Sequence, residues 1–333
     1  MLNFTKIAVD AMGGDGSPKK IIDGIIHNHK SNTQNFFIIF GNKNEIEPYI
    51  TDKIAKEFYK IIHTENMVKS TDSPLEAAKR GKDTSMWLAI DSVKNKEADI
   101  VISAGNTGAL LVISKLNLKM IENIDKPALS ALWPNKKGMS VVLDLGANIE
   151  CNSKNLVDFS IMGASLYKSL YPNKTPKIAL LNIGSEELKG NEIIKETFQI
   201  LNEKKFKNFD FSGYIEGNQL MDGNVNVIIS DGFTGNVALK TAEGTANFIT
   251  DELKMIFKGS ILGKISAILN YSNLNKFKKR LDPRLYNGAI FIGLDSPVVK
   301  SHGGTDFIGF SNSIDVCSKI VKGNLINKIR ENI

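Results

Sequence analysis

The chain has 333 residues, 42% hydrophobic and 23% charged, with a formal net charge of +6. That length suits one large α/β domain or two lobes, and the composition is that of a soluble globular protein. No apolar run reaches the ~18 residues that span a bilayer, and the two cysteines, Cys151 and Cys317, have neither redox nor metal-ligand spacing.

The opening Met1–Ile7 leads straight into a strand-like run, so no signal peptide and a reducing cytoplasm are expected. The positive charge favours acidic partners: nucleic acid, an acidic carrier protein or an anionic membrane surface.

Taken in chain order, β-branched runs alternate with longer amphipathic stretches, which predicts an α/β sheet protein. A first strand over Lys6–Asp10 enters the loop Asp10-Ala11-Met12-Gly13-Gly14-Asp15-Gly16-Ser17-Pro18, and a helix is expected over Pro18–Asn28. Adjacent glycines let backbone approach a ligand, and Pro18 suits a first helical turn. Strands follow at Asn35–Phe40 and Lys60–His63, then a helix over Thr84–Lys94.

The strand Asp99–Ser103 runs into Ala104-Gly105-Asn106-Thr107-Gly108, with a helical run from Ala109. The same pattern recurs after a strand at Asn226–Ser230, as Asp231-Gly232-Phe233-Thr234-Gly235-Asn236, ahead of a helix over Asn236–Phe257. Strand, glycine turn and helix start aim backbone N–H groups and a positive helix end at one point. One such turn is commonplace in α/β proteins; two with matched spacing favour phosphate handling.

Between these copies lie a strand at Met139–Leu143 with Asp144 and Asn148 behind it, and a helix over Leu156–Leu170. A strand at Lys177–Asn182 then precedes Gly184-Ser185-Glu186-Glu187-Leu188-Lys189-Gly190-Asn191-Glu192. Lys189 reads as a cation placed for phosphate or an oxyanion, or as part of a solvated loop. A helix over Glu192–Lys204 and a strand at Phe209–Ile215 complete this region.

The stretch Asp251–Leu281 has no strand and is both apolar and basic. Phe257, Ile261, Ile265, Ile268 and Leu269 share a helical face, widened by Leu262. It reads as a helix pair on the core or a subunit interface, or as a hairpin dipping into an anionic membrane. Strands at Ala289–Gly293 and Pro297–Lys300 lead to Ser301-His302-Gly303-Gly304, then a helix over Ile314–Ile329. His302 is the one histidine in a glycine loop, hence the titratable candidate. Cys151 is a formal acyl-carrying candidate, but a thiol of this kind is commonly just buried.

The segments Ile7–Asp15, Ile102–Leu110, Leu143–Asn148, Leu181–Glu192 and Ser230–Lys240 closely resemble, in the same order, those of the bacterial phosphate acyltransferase (PlsX) family. The resemblance covers essentially the whole chain. It implies a single three-layer α/β/α catalytic domain over residues 1–333, a Rossmann-like mixed sheet similar to isocitrate/isopropylmalate dehydrogenases and phosphotransacetylases. It also implies a helical hairpin insertion over residues 245–288, and favours the membrane reading of that segment through Phe257, Ile261, Leu262, Ile265, Ile268 and Leu269.

The reaction implied is reversible transfer of a long fatty acyl group from acyl carrier protein to inorganic phosphate. The acyl phosphate then feeds a membrane glycerol-3-phosphate acyltransferase and phosphatidic acid synthesis. The implied enzyme is a cytoplasmic homodimer, peripherally bound to the membrane, with no cofactor and no metal. Catalytic roles fall on Lys189, Asn191, which would orient it, and His302, which would protonate the leaving thiolate. Phosphate or substrate binding falls on Asp10, Gly13, Gly14, Asp15, Gly105, Asn106, Thr107, Gly108, Asp144, Asn148, Glu192, Asp231, Gly232, Thr234, Gly235 and Asn236. Phosphate is expected between the Gly105–Gly108 and Gly232–Asn236 loops.

One position departs from the family, Asn287 in Tyr286-Asn287-Gly288-Ala289, where a glycine is usual; asparagine tolerates positive φ, so the turn is expected to survive. Three rivals remain. A hydroxyacid dehydrogenase on a similar fold needs a nucleotide loop and an aspartate cluster that are not evident. A non-catalytic membrane scaffold would need only Asp251–Leu281. Nucleic-acid binding lacks any aromatic-studded basic stretch.

Overall fold

The computed structural model describes residues 4–333; the first three residues of the chain's opening run lie outside that range. Eleven strands form one mixed sheet, and its order decides where the loops fall. β1 (Thr5–Asp10), β2 (Asn35–Gly41), β3 (Tyr59–His63), β4 (Ile100–Ser103) and β11 (Val298–Lys300) are mutually parallel, side by side as β3-β2-β1-β4-β11. β10 (Ala289–Ile292) is antiparallel to β11 and to β5 (Ala128–Asn135), and β5 is antiparallel to β6 (Gly138–Leu143). β9 (Val227–Ile229), β7 (Lys177–Asn182) and β8 (Asp210–Glu216) follow β6 in parallel. Three reversals separate the halves, so β1, β4 and β11 end on one sheet edge and β6, β9 and β7 on the other.

Alternation along each strand feeds two faces. Ile7 and Val9 point to a core covered by α1 (Lys19–Ser31), α6 (Ser153–Leu170), α7 (Glu192–Glu203) and α11 (Phe307–Lys322). Ala8 and Val101 point the other way, under α4 (Ser85–Lys94) and α5 (Thr107–Asn117). On that second face Val142 and Ile228 meet Ala238, Leu239 and Ala242 of α8 (Gly232–Lys258). Helices on both faces make the expected three layers.

Several elements differ from expectation. β5 is unforeseen because Pro134 lies inside its run, and proline argues against a central strand; here it sits at the turn end of the β5–β6 hairpin, opposite Met139. α2 (Lys43–Ile50) contains Pro48, and α3 (Pro74–Arg80) is a short helix capped by Ser73. The expected helix Ile314–Ile329 is two helices, α11 and α12 (Leu325–Arg330), parted at Gly323 and Asn324. A side chain at Gly323 would collide with Ser169 of α6, and Asn324 turns the chain with φ 53°.

The segment 245–288 is the far part of α8, then α9 (Ile261–Leu269) and α10 (Tyr271–Arg280), then a short turn of helix over Pro283–Tyr286. Neither α9 nor α10 buries a residue. No described helix is long and apolar enough to cross a membrane.

Candidate active site

At the C-terminal ends of β1, β4 and β11, Asp10, Ser103 and Lys300 form one row: Ser103 is in register with Asp10 on one side and Lys300 on the other. Equal register turns all three side chains to one face. Asp10 is 1% exposed. Its Oδ1 accepts from Ser85 Oγ (2.6 Å) and Met12 N (3.3 Å), and its Oδ2 from Ser103 Oγ (2.6 Å). Burial nevertheless holds its carboxyl above the ordinary range, against the lowering by these hydrogen bonds and Lys300.

Three loops close over this row. Ser103 Oγ accepts from Gly105 N at 3.0 Å, and a side chain at Gly13 would strike Gly105 and Asp10. Gly14, with φ +85°, lies against the carbonyls of Ala104 and Gly303. Gly303 O accepts from Asp15 N (3.1 Å) and Lys20 Nζ (2.6 Å).

His302 projects to solvent from this edge. Its Nδ1 accepts from Gly304 N at 3.2 Å, which leaves the ring proton on Nε2. Asn287 departs from expectation in a useful way: its φ is −71°, and Gly288 carries the positive φ. Its Oδ1 accepts from His302 N and its Nδ2 donates to Ser301 Oγ.

The first turn of α5 completes the edge. Asn106 caps it through Ala109 N (3.0 Å) and donates to Ser70 O and Asp72 O, so its carboxamide is fully engaged. Thr107 and Gly108 N–H have no partner within the helix, and Thr107 is exposed. Gly108 is a glycine for packing, since a Cβ there would meet Pro74.

The remaining candidates stand on the opposite edge. Asp144 is buried and accepts from Leu129 N, Gly146 N, Ala147 N, and Asn148 N and Nδ2 at 2.8–3.1 Å. It ties down its own loop. Asp231 caps α8 through Thr234 N and holds Thr234 Oγ1 at 2.7 Å. Side chains at Gly232 or Gly235 would collide with Asn148 or Asp144, so these glycines serve loop packing. Asn236 lies beside Gly146.

Lys189 is exposed. Asn191 caps α7 by accepting from Ile194 N, so it does not orient Lys189, and Glu192 pairs with Lys195 in the open. The Gly105–Gly108 and Gly232–Asn236 loops therefore do not meet around one phosphate within a chain: β4 and β9 run in opposite directions with four strands between them. Cys151 is on this second edge, buried, and pushed up to about 11 by burial and by Asp144.

Lys300, Lys20, Ser85 and Ser103 were not singled out from sequence. The available signal was Lys300 itself, a lysine ending the apolar run Pro297–Val299 just before a glycine loop.

The family described as "Fatty acid synthesis protein" matches residues 5–328. The phosphate acyltransferase of Pelagibacter ubique is 74% identical over 333 residues, covering all of both chains. This chain belongs to the phosphate acyltransferase family. The Paramagnetospirillum magneticum member is 41% identical over 98% of this chain and 93% of its own. In fold, the family member described here is like a phosphotransacetylase of Streptococcus pyogenes, with TM-score 0.62 over 97% of this chain and 94% of that one at 16% identity. An acyltransferase of this family, it is neither the dehydrogenase nor the bare scaffold considered from sequence.

Proposed function

We propose that the enzyme transfers a long-chain fatty acyl group reversibly from acyl carrier protein to inorganic phosphate, yielding acyl phosphate for phosphatidic acid synthesis. The observation that carries this reading is the β1–β4–β11 edge. It gathers glycine loops, a helix start and an exposed His302, while its serine hydroxyls at 85 and 103 are committed to Asp10. Such a site suits an acceptor that needs no activated side chain. Phosphate, partly dianionic near neutral pH, attacks the thioester carbon directly. The C–O bond forms, the C–S bond breaks, and the departing thiolate takes the proton that the attacking hydrogen phosphate gives up, with His302 Nε2–H donating a hydrogen bond to the leaving sulfur. Thr107 and Gly108 N–H groups face the developing oxyanion.

Two partners follow from surfaces that one chain leaves bare. α8 exposes Phe248, Ile249, Met255 and Ile256, and α9 exposes Ile261, Leu262, Ile265, Ile268 and Leu269, with Phe257 half-buried between. We assign the α8 stripe to a second copy and the α9 tip to the membrane surface, where Lys276, Lys278, Lys279 and Arg280 meet anionic headgroups. Lys189 can reach the reacting carbonyl only from that second copy, because in its own chain it stands on the far edge. The basic surface receives the acidic carrier protein, so added salt should raise its apparent KM.

Purified protein with palmitoyl-carrier protein and phosphate, quenched with hydroxylamine, tests the reaction. Phosphate-dependent acyl hydroxamate is the expected product. A folded protein that gives none across several chain lengths sinks the proposal.

A further inference from the structure

Resting on that reading of the β1–β4–β11 edge, we infer that Lys300, seconded by Lys20, is the cation that binds the phosphate acceptor, with Asp10 as the positioning carboxylate beneath it.

Lys300 is only 8% exposed, yet no carboxylate oxygen lies within 4.0 Å of its Nζ among the described residues. A buried ammonium without a counter-ion is costly and calls for a reason. Its hydrogen bonds run to the carbonyls of Ala104 and Ser301. An ammonium has three N–H donors, so one remains. It is held at the place where the loops after β4 and β11 meet.

Asp10 is the acid that a fold would ordinarily supply. Here its oxygens are occupied by Ser85, Ser103 and Met12. Lys300 therefore has no carboxylate at contact distance, and Asp10 acts on it only from farther off. Lys20 adds to it: its Nζ is bound to the Gly303 carbonyl of the same loop, and its charge acts on Lys300. Two lysines held on backbone carbonyls, neither with a carboxylate within 4.0 Å among the described residues and with Asp10 and Asp15 acting only from farther off, suit a dianion.

The glycines agree. A Cβ at Gly14 would meet the Ala104 and Gly303 carbonyls, the very groups the two lysines hold. A buried lysine that served only to clamp loops would need neither a second lysine nor an unpaired charge. Phosphate explains both, and it is the acceptor the proposed reaction requires.

The test uses the full-length protein and inorganic phosphate, first without acyl donor. Wild type should show phosphate-dependent thermal stabilisation and saturable binding by equilibrium dialysis. Lys300→Met should lose both, and in the assay its KM for phosphate should rise at least about tenfold while KM for acyl-carrier protein stays within about twofold. Lys300→Arg, which keeps the charge, should recover most of the phosphate binding.

Unchanged phosphate binding in Lys300→Met overturns the inference. So does a fall in kcat alone, which is what a loop clamp would give. If Lys300→Met does not fold, Lys20→Met decides: its phosphate KM must rise, and a wild-type value sinks the assignment. Phosphate binding by a wild type that makes no acyl phosphate would support this site while the acyl-transfer reading fails.

Discussion

The carboxamide of Asn287 holds the backbone of His302 from across the loop: Oδ1 accepts from His302 N at 2.9 Å, while Nδ2 donates to Ser301 Oγ at the same distance. This side chain braces the loop that carries His302.

Asn287→Gly should therefore cost stability and precision together. Two hydrogen bonds go, and glycine adds freedom to the unfolded chain. The sum is roughly 2 kcal/mol, read from urea unfolding. The kcat should fall several-fold with phosphate KM little changed, since Lys300 is held by other groups. An unchanged kcat would mean that Gly288 alone fixes the loop.

A pH profile reaches Lys300 independently. The groups that act on it are Asp10 on β1 and Lys20 on α1, with Asp15 beside Lys20 and His302 beyond Ser301. Burial first, and then Lys20, push its ammonium down to about 8, with Asp10 pulling the other way. Phosphate KM should accordingly climb as pH rises through about 8, and the climb should vanish in Lys300→Arg. Stability moves in the opposite sense. Between about 8 and the ordinary lysine value of 10.5 the unfolded chain binds the proton that the folded chain has released, so this group makes the fold more stable as pH rises across that window. Below about 8 that contribution is gone. A phosphate KM that is flat to pH 9 contradicts the assigned role.

The row that these experiments probe was hidden in the sequence for a definite reason. The parallel strands β1, β2, β4 and β7 were legible because buried strands read as continuous β-branched runs. The glycine loops were legible because they interrupt those runs. Asp10 and Ser103 are 93 residues apart, and Lys300 is 196 residues from Ala104. Only strand order makes them neighbours, and no local pattern encodes strand order. The same gap misled the reading of the two matched glycine turns. Their spacing is alike because both cap a helix after a strand, but β4 and β9 point opposite ways, so likeness of motif did not mean a shared ligand. Gly232 and Gly235 turned out to be glycines for want of room beside the Asp144 loop.

Cys151 should prove dispensable. Its thiol is buried and raised to about 11, so at neutral pH almost none is thiolate, the form that attacks a thioester. Cys151→Ala should keep near-wild-type kcat, and iodoacetamide should not inactivate the native enzyme. Inactivation protected by acyl-carrier protein would reopen a covalent route.

The opposite edges make a test of sharing between copies possible. Lys189→Ala and His302→Ala should each be weak as pure proteins. Unfolded together, refolded and assayed, they should regain activity that neither has alone, because a mixed dimer restores one site with both groups intact. No recovery in a mixture that demonstrably forms mixed dimers would separate Lys189 from the chemistry of the His302 edge.

The proposed lipid contact of the α9 tip should be separable from catalysis. In α9, Ile261, Leu262, Ile268 and Leu269 are each at least 74% exposed, and no core residue depends on them, since α9 buries nothing. Such a patch is too apolar for an ordinary free surface. Ile261→Asp with Leu269→Asp should leave the melting temperature within a few degrees of wild type and leave turnover of soluble acyl-carrier protein intact. Co-sedimentation with vesicles containing anionic lipid should be lost. Wild-type binding should weaken with salt, because lysines on α10 share the contact, but not vanish, because apolar burial does not depend on ionic strength. If the double variant still sediments with vesicles, the lipid contact lies elsewhere. If instead it becomes monomeric while keeping vesicle binding, α9 belongs to the subunit interface and α8 alone cannot account for the dimer.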